Sequence, residues 1–168
     1  MLVALILTLF PMLMIFAAFS DILTMTISNW VSIALVVGYG ALALLASMSL
    51  SAVLWDVSCA LTVLTITFVF FARGWIGGGD AKLASATALW TGWGQLDDYS
   101  ILFALFGGVL TLVILYLRFA PVPPFVERLS WMGRLQDKAN GVPYGVALAA
   151  AGMMVYPQTA VWIAASSV

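Results

Sequence analysis

Arg73-Gly74-Trp75-Ile76-Gly77-Gly78-Gly79-Asp80-Ala81-Lys82 is a polar, glycine-rich stretch set between two long apolar runs. Runs of this kind read as membrane-spanning helices, which makes the stretch the turn that joins two of them. Three consecutive glycines leave the backbone free to bend and to be approached closely by another segment. An acid follows at once. An ionisable residue beside a hydrocarbon-spanning helix is a candidate functional site. The competing reading is that Asp80 merely caps the next helix.

Composition agrees with a membrane setting. The 168 residues are 64% hydrophobic and 8% charged, against about 25% charged in soluble domains, and mean hydropathy is +1.14. The length fits one domain, residues 1–168, built of several spanning helices. A net charge of -1 argues against nucleic acid as a partner. There is no His and a single Cys, Cys59, so no disulfide framework or thiolate zinc site forms within one chain. We therefore expect no metal and no organic cofactor. The start, Met1-Leu2-Val3-Ala4-Leu5, lacks the basic beginning of a signal peptide and reads as the first spanning helix.

The expected fold is all-α, with six transmembrane helices at roughly 2–20, 30–47, 52–72, 81–96, 100–118 and 143–165. Pro11 and Pro157 fall inside the first and last, where kinks are expected. Trp30, Trp55, Trp75, Trp93 and Trp162 lie near segment ends, as in an aromatic belt. Arg73 and Lys82 flank the turn between helices 3 and 4, and Arg118, Arg128, Arg134 and Lys138 lie between helices 5 and 6. With six crossings these loops share one side, which the positive-inside rule makes cytoplasmic. The opposite loops carry Asp56, Asp97 and Asp98 without Lys or Arg, and both termini come out on that far side.

Pro121, Pro123 and Pro124 stop helix 5. Beyond them Phe125, Val126, Leu129, Met132, Leu135 and Ala139 share a helical face, opposite Glu127, Ser130, Arg134, Asp137 and Lys138. Arg128 and Gln136 interrupt the apolar face, and Trp131 borders it. This predicts an amphipathic helix on the membrane surface; the alternative is a solvated connector.

A second acid matches the first in setting. Asp21 ends helix 1 in Ser20-Asp21-Ile22-Leu23-Thr24-Met25-Thr26-Ile27-Ser28-Asn29. Two helices separate it from Asp80, so both carboxylates return to the inner side at similar depth. Glu127 and Asp137 read as surface charges. Two carboxyls held close in a poorly hydrated place do not both ionise: one keeps a proton and the other acts as a base. Together they activate a water and protonate a leaving amine. A helix C-terminus disfavours negative charge at Asp21, and a helix N-terminus favours it at Asp80.

At this point the residues resemble a family. Gly77-Gly78-Gly79-Asp80 fits the GxGD pattern of intramembrane aspartyl proteases, and Gly77 to Leu83 is similar to the GGGDxKL stretch of type IV prepilin peptidases. The Asp21 segment with Ile27-Ser28-Asn29 is similar to that family's first-aspartate region, though Ser28 stands where many relatives have proline. Gly141-Val142-Pro143-Tyr144-Gly145 is similar to its closing motif. The resemblance implies catalytic roles for Asp21 and Asp80, with removal of leader peptides from prepilins at the cytoplasmic face of a bacterial inner membrane, commonly after a glycine. The short chain resembles the tight-adherence (Flp) branch, because it lacks the paired-cysteine segment of the bifunctional, N-methylating enzymes. The signal-peptide-peptidase branch is set aside, since Ser20 precedes Asp21 and no Pro-Ala-Leu occurs.

Supporting residues admit two readings each. Lys82 either favours ionised Asp80 or a substrate carboxylate, or anchors its helix at the interface. Asn29 reads first as a cap of helix 2 and second as a partner for the bent backbone near Asp21. Pro143, Tyr144 and Gly145 either shape the cleft or simply start helix 6. The expected partners are a prepilin or pseudopilin helix, the lipid bilayer and the pilus assembly machinery. A substrate that is itself an apolar helix requires a lipid-open groove with apolar walls. A rival function is a proton-coupled membrane carrier or an assembly factor using Asp21 and Asp80 as a relay. The placement of the acids, after helix 1 and before helix 4, does not match the midplane broken helices of carriers.

Overall fold

Backbone polar groups in hydrocarbon must be satisfied within their own segment, so long apolar runs fold as helices. The computed structural model describes residues 2–119, 130–137 and 141–166, and every regular element among them is helical. In chain order these are α1 (Leu2–Thr24), α2 (Asn29–Leu45), α3 (Leu50–Ala72), α4 (Gly78–Phe119), α5 (Ser130–Gln136), α6 (Tyr144–Val155), a 3-10 turn (Tyr156–Gln158) and α7 (Ala160–Ser166). α1, α3 and α4 are long and apolar enough to cross a membrane, and the bent pair α6 and α7 makes a fourth if counted as one span. α2 is apolar but shorter.

The expected boundary between helices 4 and 5 needs correction. Asp97 and Asp98 are not in a loop; both are exposed residues within α4. The break lies earlier, at Gly92, whose φ of 59° and ψ of -176° interrupt the helix. A straight 42-residue helix would be about 63 Å long, twice the roughly 30 Å hydrocarbon layer. Instead α4 doubles back. Thr87 and Tyr99 both lie against Gly152, and Ala84 and Phe103 line one cavity.

Asp56 is likewise not a loop residue. It lies in α3, buried, and accepts a 2.6 Å hydrogen bond from the Tyr39 hydroxyl. Its other oxygen lies where a side chain at Gly92 would sit, so the helix break and the buried acid fit each other. At the two prolines the outcomes differ. α1 is one helix through Pro11, whereas Pro157 falls in the 3-10 turn where α6 and α7 bend by 48°.

The core is aromatic. Phe10 stacks on Tyr156 at 4.4 Å and packs on Trp90 at 5.0 Å between ring centroids. Both polar tips are satisfied, as buried Trp and Tyr require: Trp90 donates to the Leu35 carbonyl and Tyr156 to the Leu7 carbonyl, each at 3.0 Å. Large apolar side chains such as Leu44, Leu112 and Phe68 face outward, as expected where lipid is the solvent. In α3, Thr62, Thr65 and Thr67 return their hydroxyls to carbonyls of the preceding turn, which leaves no bare donor on that outward face.

Of the expected amphipathic helix, α5 is described. Met132 and Leu135 are buried against the protein itself. Gln136, read from the sequence as an interruption, donates to the Leu117 carbonyl at 3.2 Å, and the Leu135 carbonyl accepts from Arg118 at 3.0 Å. Arg134 donates to the Leu23 carbonyl. α5 is thus tied to the ends of α1 and α4. Phe125, Val126, Glu127, Arg128, Leu129, Lys138 and Ala139 lie outside the described residues.

Candidate active site

Three chain reversals build the site. The first follows α3. Gly74 takes a φ of 73°, its N–H bonds the Phe71 carbonyl at 2.8 Å and the Trp75 N–H bonds the Phe70 carbonyl at 3.0 Å. This is a Schellman cap, which needs a residue tolerant of left-handed backbone. Stacking of Trp75 beside Phe70 at 5.6 Å supplies its usual apolar contact. So the bending glycine is Gly74, not the triplet. Gly77, Gly78 and Gly79 instead open α4, with the Gly77 carbonyl accepting from the Ala81 N–H at 3.1 Å. A Cβ on Gly79 would sit 3.1 Å from Ile27 Cβ and 3.4 Å from the Ile27 carbonyl oxygen, so close approach is what that glycine supplies. Asp80, three residues past Gly77, lies against it: a Cβ on Gly77 would meet Asp80 Oδ2 at 2.9 Å. Asp80 thus lies inside the first turn of α4, which begins at Gly78, and not at the cap position itself.

The second reversal joins α1 to α2. Met25 takes a φ of 54°, and its N–H returns to the Asp21 carbonyl at 2.8 Å. Ser20 donates to the Thr26 carbonyl at 2.9 Å and Thr24 to the Ser20 carbonyl at 2.7 Å. The turn holds Asp21 in the last turn of α1, buried, and folds Ile27 back against Gly79.

The third reversal is at Pro143, with φ -73° and ψ 76°. The Tyr144 N–H bonds the Val142 carbonyl at 2.8 Å, which makes an inverse γ-turn around a proline already set to the right φ. The turn presents the Gly145 N–H to Asp21 Oδ2 at 2.7 Å. A Cβ on Gly145 would meet that same oxygen at 2.7 Å and Ile27 Cδ1 at 2.7 Å, so only glycine fits. Tyr144 reaches the other way: its hydroxyl lies 3.2 Å from Thr111 Oγ1, and its ring covers Gly107 and meets Phe103 edge-on at 6.3 Å.

Asp21 and Asp80 come together. Both line one cavity of about 350 Å³, with Trp75, Ile76, Pro143 and Tyr144, and a second of about 260 Å³ reaching Ile27 and Gly79. Their carboxyls are near enough to interact electrostatically. The Asp21 carboxyl accepts the Gly145 N–H, and the Asp80 carboxyl lies close to Gly77. Two carboxyls lining one cavity with room for water can take a proton from a water and return one to a departing amine.

Two supporting residues sit apart from the carboxyls. Lys82 Nζ donates to Asn29 Oδ1 at 2.8 Å. The expected cap by Asn29 is thus corrected: Ser28 holds the N-cap position of α2 and Asn29 is the first residue inside. Pairing with Lys82 joins α2, which follows Asp21, to α4, which carries Asp80. Sequence reasoning missed Ile27, whose backbone and side chain fill the gap between Gly79 and Gly145. It also gave no role to Ile76 and placed Trp75 only in an aromatic belt, whereas both line the cavity. A bulky residue two places before a Ser-Asn helix start was the available signal for the first.

The fold and the site together define a helical membrane protein with two facing aspartates in a backbone-lined cleft. Residues 8–117 match the model of the type IV leader peptidase family, and the chain belongs to that family. The matched stretch contains Asp21 and Asp80 and ends before Gly141–Gly145, which the structure adds to the site. No curated protein and no solved structure matches. Membership implies a protease.

Proposed function

We propose that the chain is a membrane-embedded aspartyl endopeptidase that removes the leader peptide from type IV, Flp-like prepilins at the cytoplasmic face of the inner membrane. The observation that carries this reading is the shared cavity of Asp21 and Asp80, with the Asp21 carboxyl held by the Gly145 N–H. In the proposed step one carboxylate takes a proton from a water as its oxygen attacks the scissile carbonyl carbon. The other, protonated, carboxyl gives its proton to the amine as the C–N bond breaks. No metal is required.

The break at Gly92 supports six crossings, with the two arms of α4 as the fourth and fifth. Both termini then lie on the periplasmic side and α5 lies at the cytoplasmic interface, where Arg118 and Arg134 gather. The one cysteine, Cys59, is buried in α3, which supports the branch without an N-methylating segment. The test is co-expression with a candidate prepilin, followed by gel shift. Leader removal by the wild type and its loss in Asp21→Asn and Asp80→Asn, each confirmed in the membrane, is the expected result. Wild-type processing by either variant overturns the assignment. Mass spectrometry of the matured pilin should show a free N-terminal amine.

A further inference from the structure

Two outward-opening grooves flank the first arm of α4. One lies among α2, α3 and α4, about 640 Å³, closed at its inner end by the Lys82–Asn29 hydrogen bond. Neither aspartate lines it. The other, about 650 Å³, lies between α3 and the second arm of α4, with α6 behind. Asp80, Trp75, Ile76 and Tyr144 line both this groove and the cavity of the two aspartates. The second groove is therefore the continuation of the site into the apolar layer.

Resting on the function proposed above, we infer that this second groove seats the apolar helix that follows the scissile bond, entering sideways from the bilayer between α3 and the second arm of α4. Its polar groups gather at the Asp80 end. Thr111 and the Tyr144 hydroxyl meet there, and Thr67 is within 3.4 Å of the Ala81 carbonyl. Peptide-bond cleavage needs an unwound backbone, whose exposed N–H and C=O groups require such partners in a membrane. Farther along, Ala104 and Gly108, one turn apart, leave an open face where a helix backbone can approach closely. From Thr111 to Phe103 the lining helix advances about 12 Å, less than half the hydrocarbon layer. The groove thus reads only about the first eight residues of a substrate helix at 1.5 Å per residue. Beyond them the substrate lies in lipid, and apolar character is enough.

Gly108 provides a clean test, because an added Cβ there meets nothing within 4 Å. Gly108→Leu fills the groove without disturbing the fold. It should reduce kcat/KM on a co-expressed prepilin by about tenfold or more, mainly through KM, as an overpacking of 1–3 kcal/mol would. Gly40→Leu on α2, where a Cβ is equally unobstructed, should leave the rate unchanged. In parallel, benzophenone-alanine at Leu112 in an Asp80→Asn chain should cross-link the uncleaved prepilin, and at Ile33, in the other groove, should not. A wild-type rate for Gly108→Leu, or adducts at Ile33 and none at Leu112, overturns the groove assignment. A wild-type chain that leaves every prepilin uncut argues instead against the leader-peptidase reading itself.

Discussion

At Gly145 a single missing methyl group decides whether Asp21 keeps its hydrogen bond. The N–H donates to the carboxyl at 2.7 Å, and the same oxygen occupies the place of a Cβ. Gly145→Ala should therefore displace Asp21 or the γ-turn, at a cost of about 1–3 kcal/mol where the pieces pack tightly. Leader removal should fall steeply while membrane insertion persists. Gly133→Ala, with open space around its Cβ, serves as the control. Removing either carboxyl charge removes a general acid or base, so Asp21→Asn and Asp80→Asn should each lower the rate by about 10²–10⁴-fold. Glu127→Gln and Asp137→Asn should cleave normally. On the proposed mechanism the singly protonated pair is the active form: acid protonates both carboxyls and removes the base, and alkali ionises both and removes the acid. The rate in lipid or detergent should be bell-shaped in pH, with both limbs belonging to the pair. A rate that keeps rising into strongly alkaline solution would contradict this. The two aspartates were legible in the sequence because each sits in a short local motif. The N–H that binds Asp21 was not, since it joins residues 124 apart.

Among the helices, the legible part was the apolar run and the hidden part was where it breaks. Asp97 and Asp98 looked like a loop because charge marks loops in a hydropathy reading. Gly92 makes the break because its φ of 59° suits glycine alone and because buried Asp56 occupies the space of a side chain. Gly92→Ala adds unfavourable backbone, about 1–3 kcal/mol, and a clash with that carboxyl. It should lower the thermal midpoint in detergent more than Gly94→Ala, whose Cβ is unobstructed. Tyr39→Phe removes the 2.6 Å hydrogen bond to Asp56. Loss of a partner for a buried carboxyl costs about 1–3 kcal/mol. Stability should fall while leader removal by surviving protein is kept, because the pair is remote from the Asp21–Asp80 cavity. The Lys82–Asn29 bond was equally hidden, as two local readings of each residue were available and only the packing of α2 on α4 selects between them.

For the molecule as a whole, the distribution of basic residues predicts an orientation and the structure gives the sites to test it. In a Cys59→Ala chain, cysteines at Ser28 and Gly133 should react with an impermeant maleimide from the cytoplasm, and one at Gly94 from the periplasm. Cytoplasmic labelling at Gly94 would overturn the six-crossing arrangement. The pieces of the site come from the first, middle and last parts of the chain: Asp21, Asp80 and the Gly145 N–H that orients the first. Synthesis delivers them in that order. A nascent chain halted before residue 141 already contains both aspartates, yet Asp21 has no donor to aim it and the Pro143 turn has not closed over the cleft. Such a chain should be inert toward prepilin, and activity should return when residues 120–168 are supplied as a separate membrane-inserted fragment. On this reading the protease should be dormant throughout its own translation, with cleavage starting only once the helix that follows Pro143 has docked.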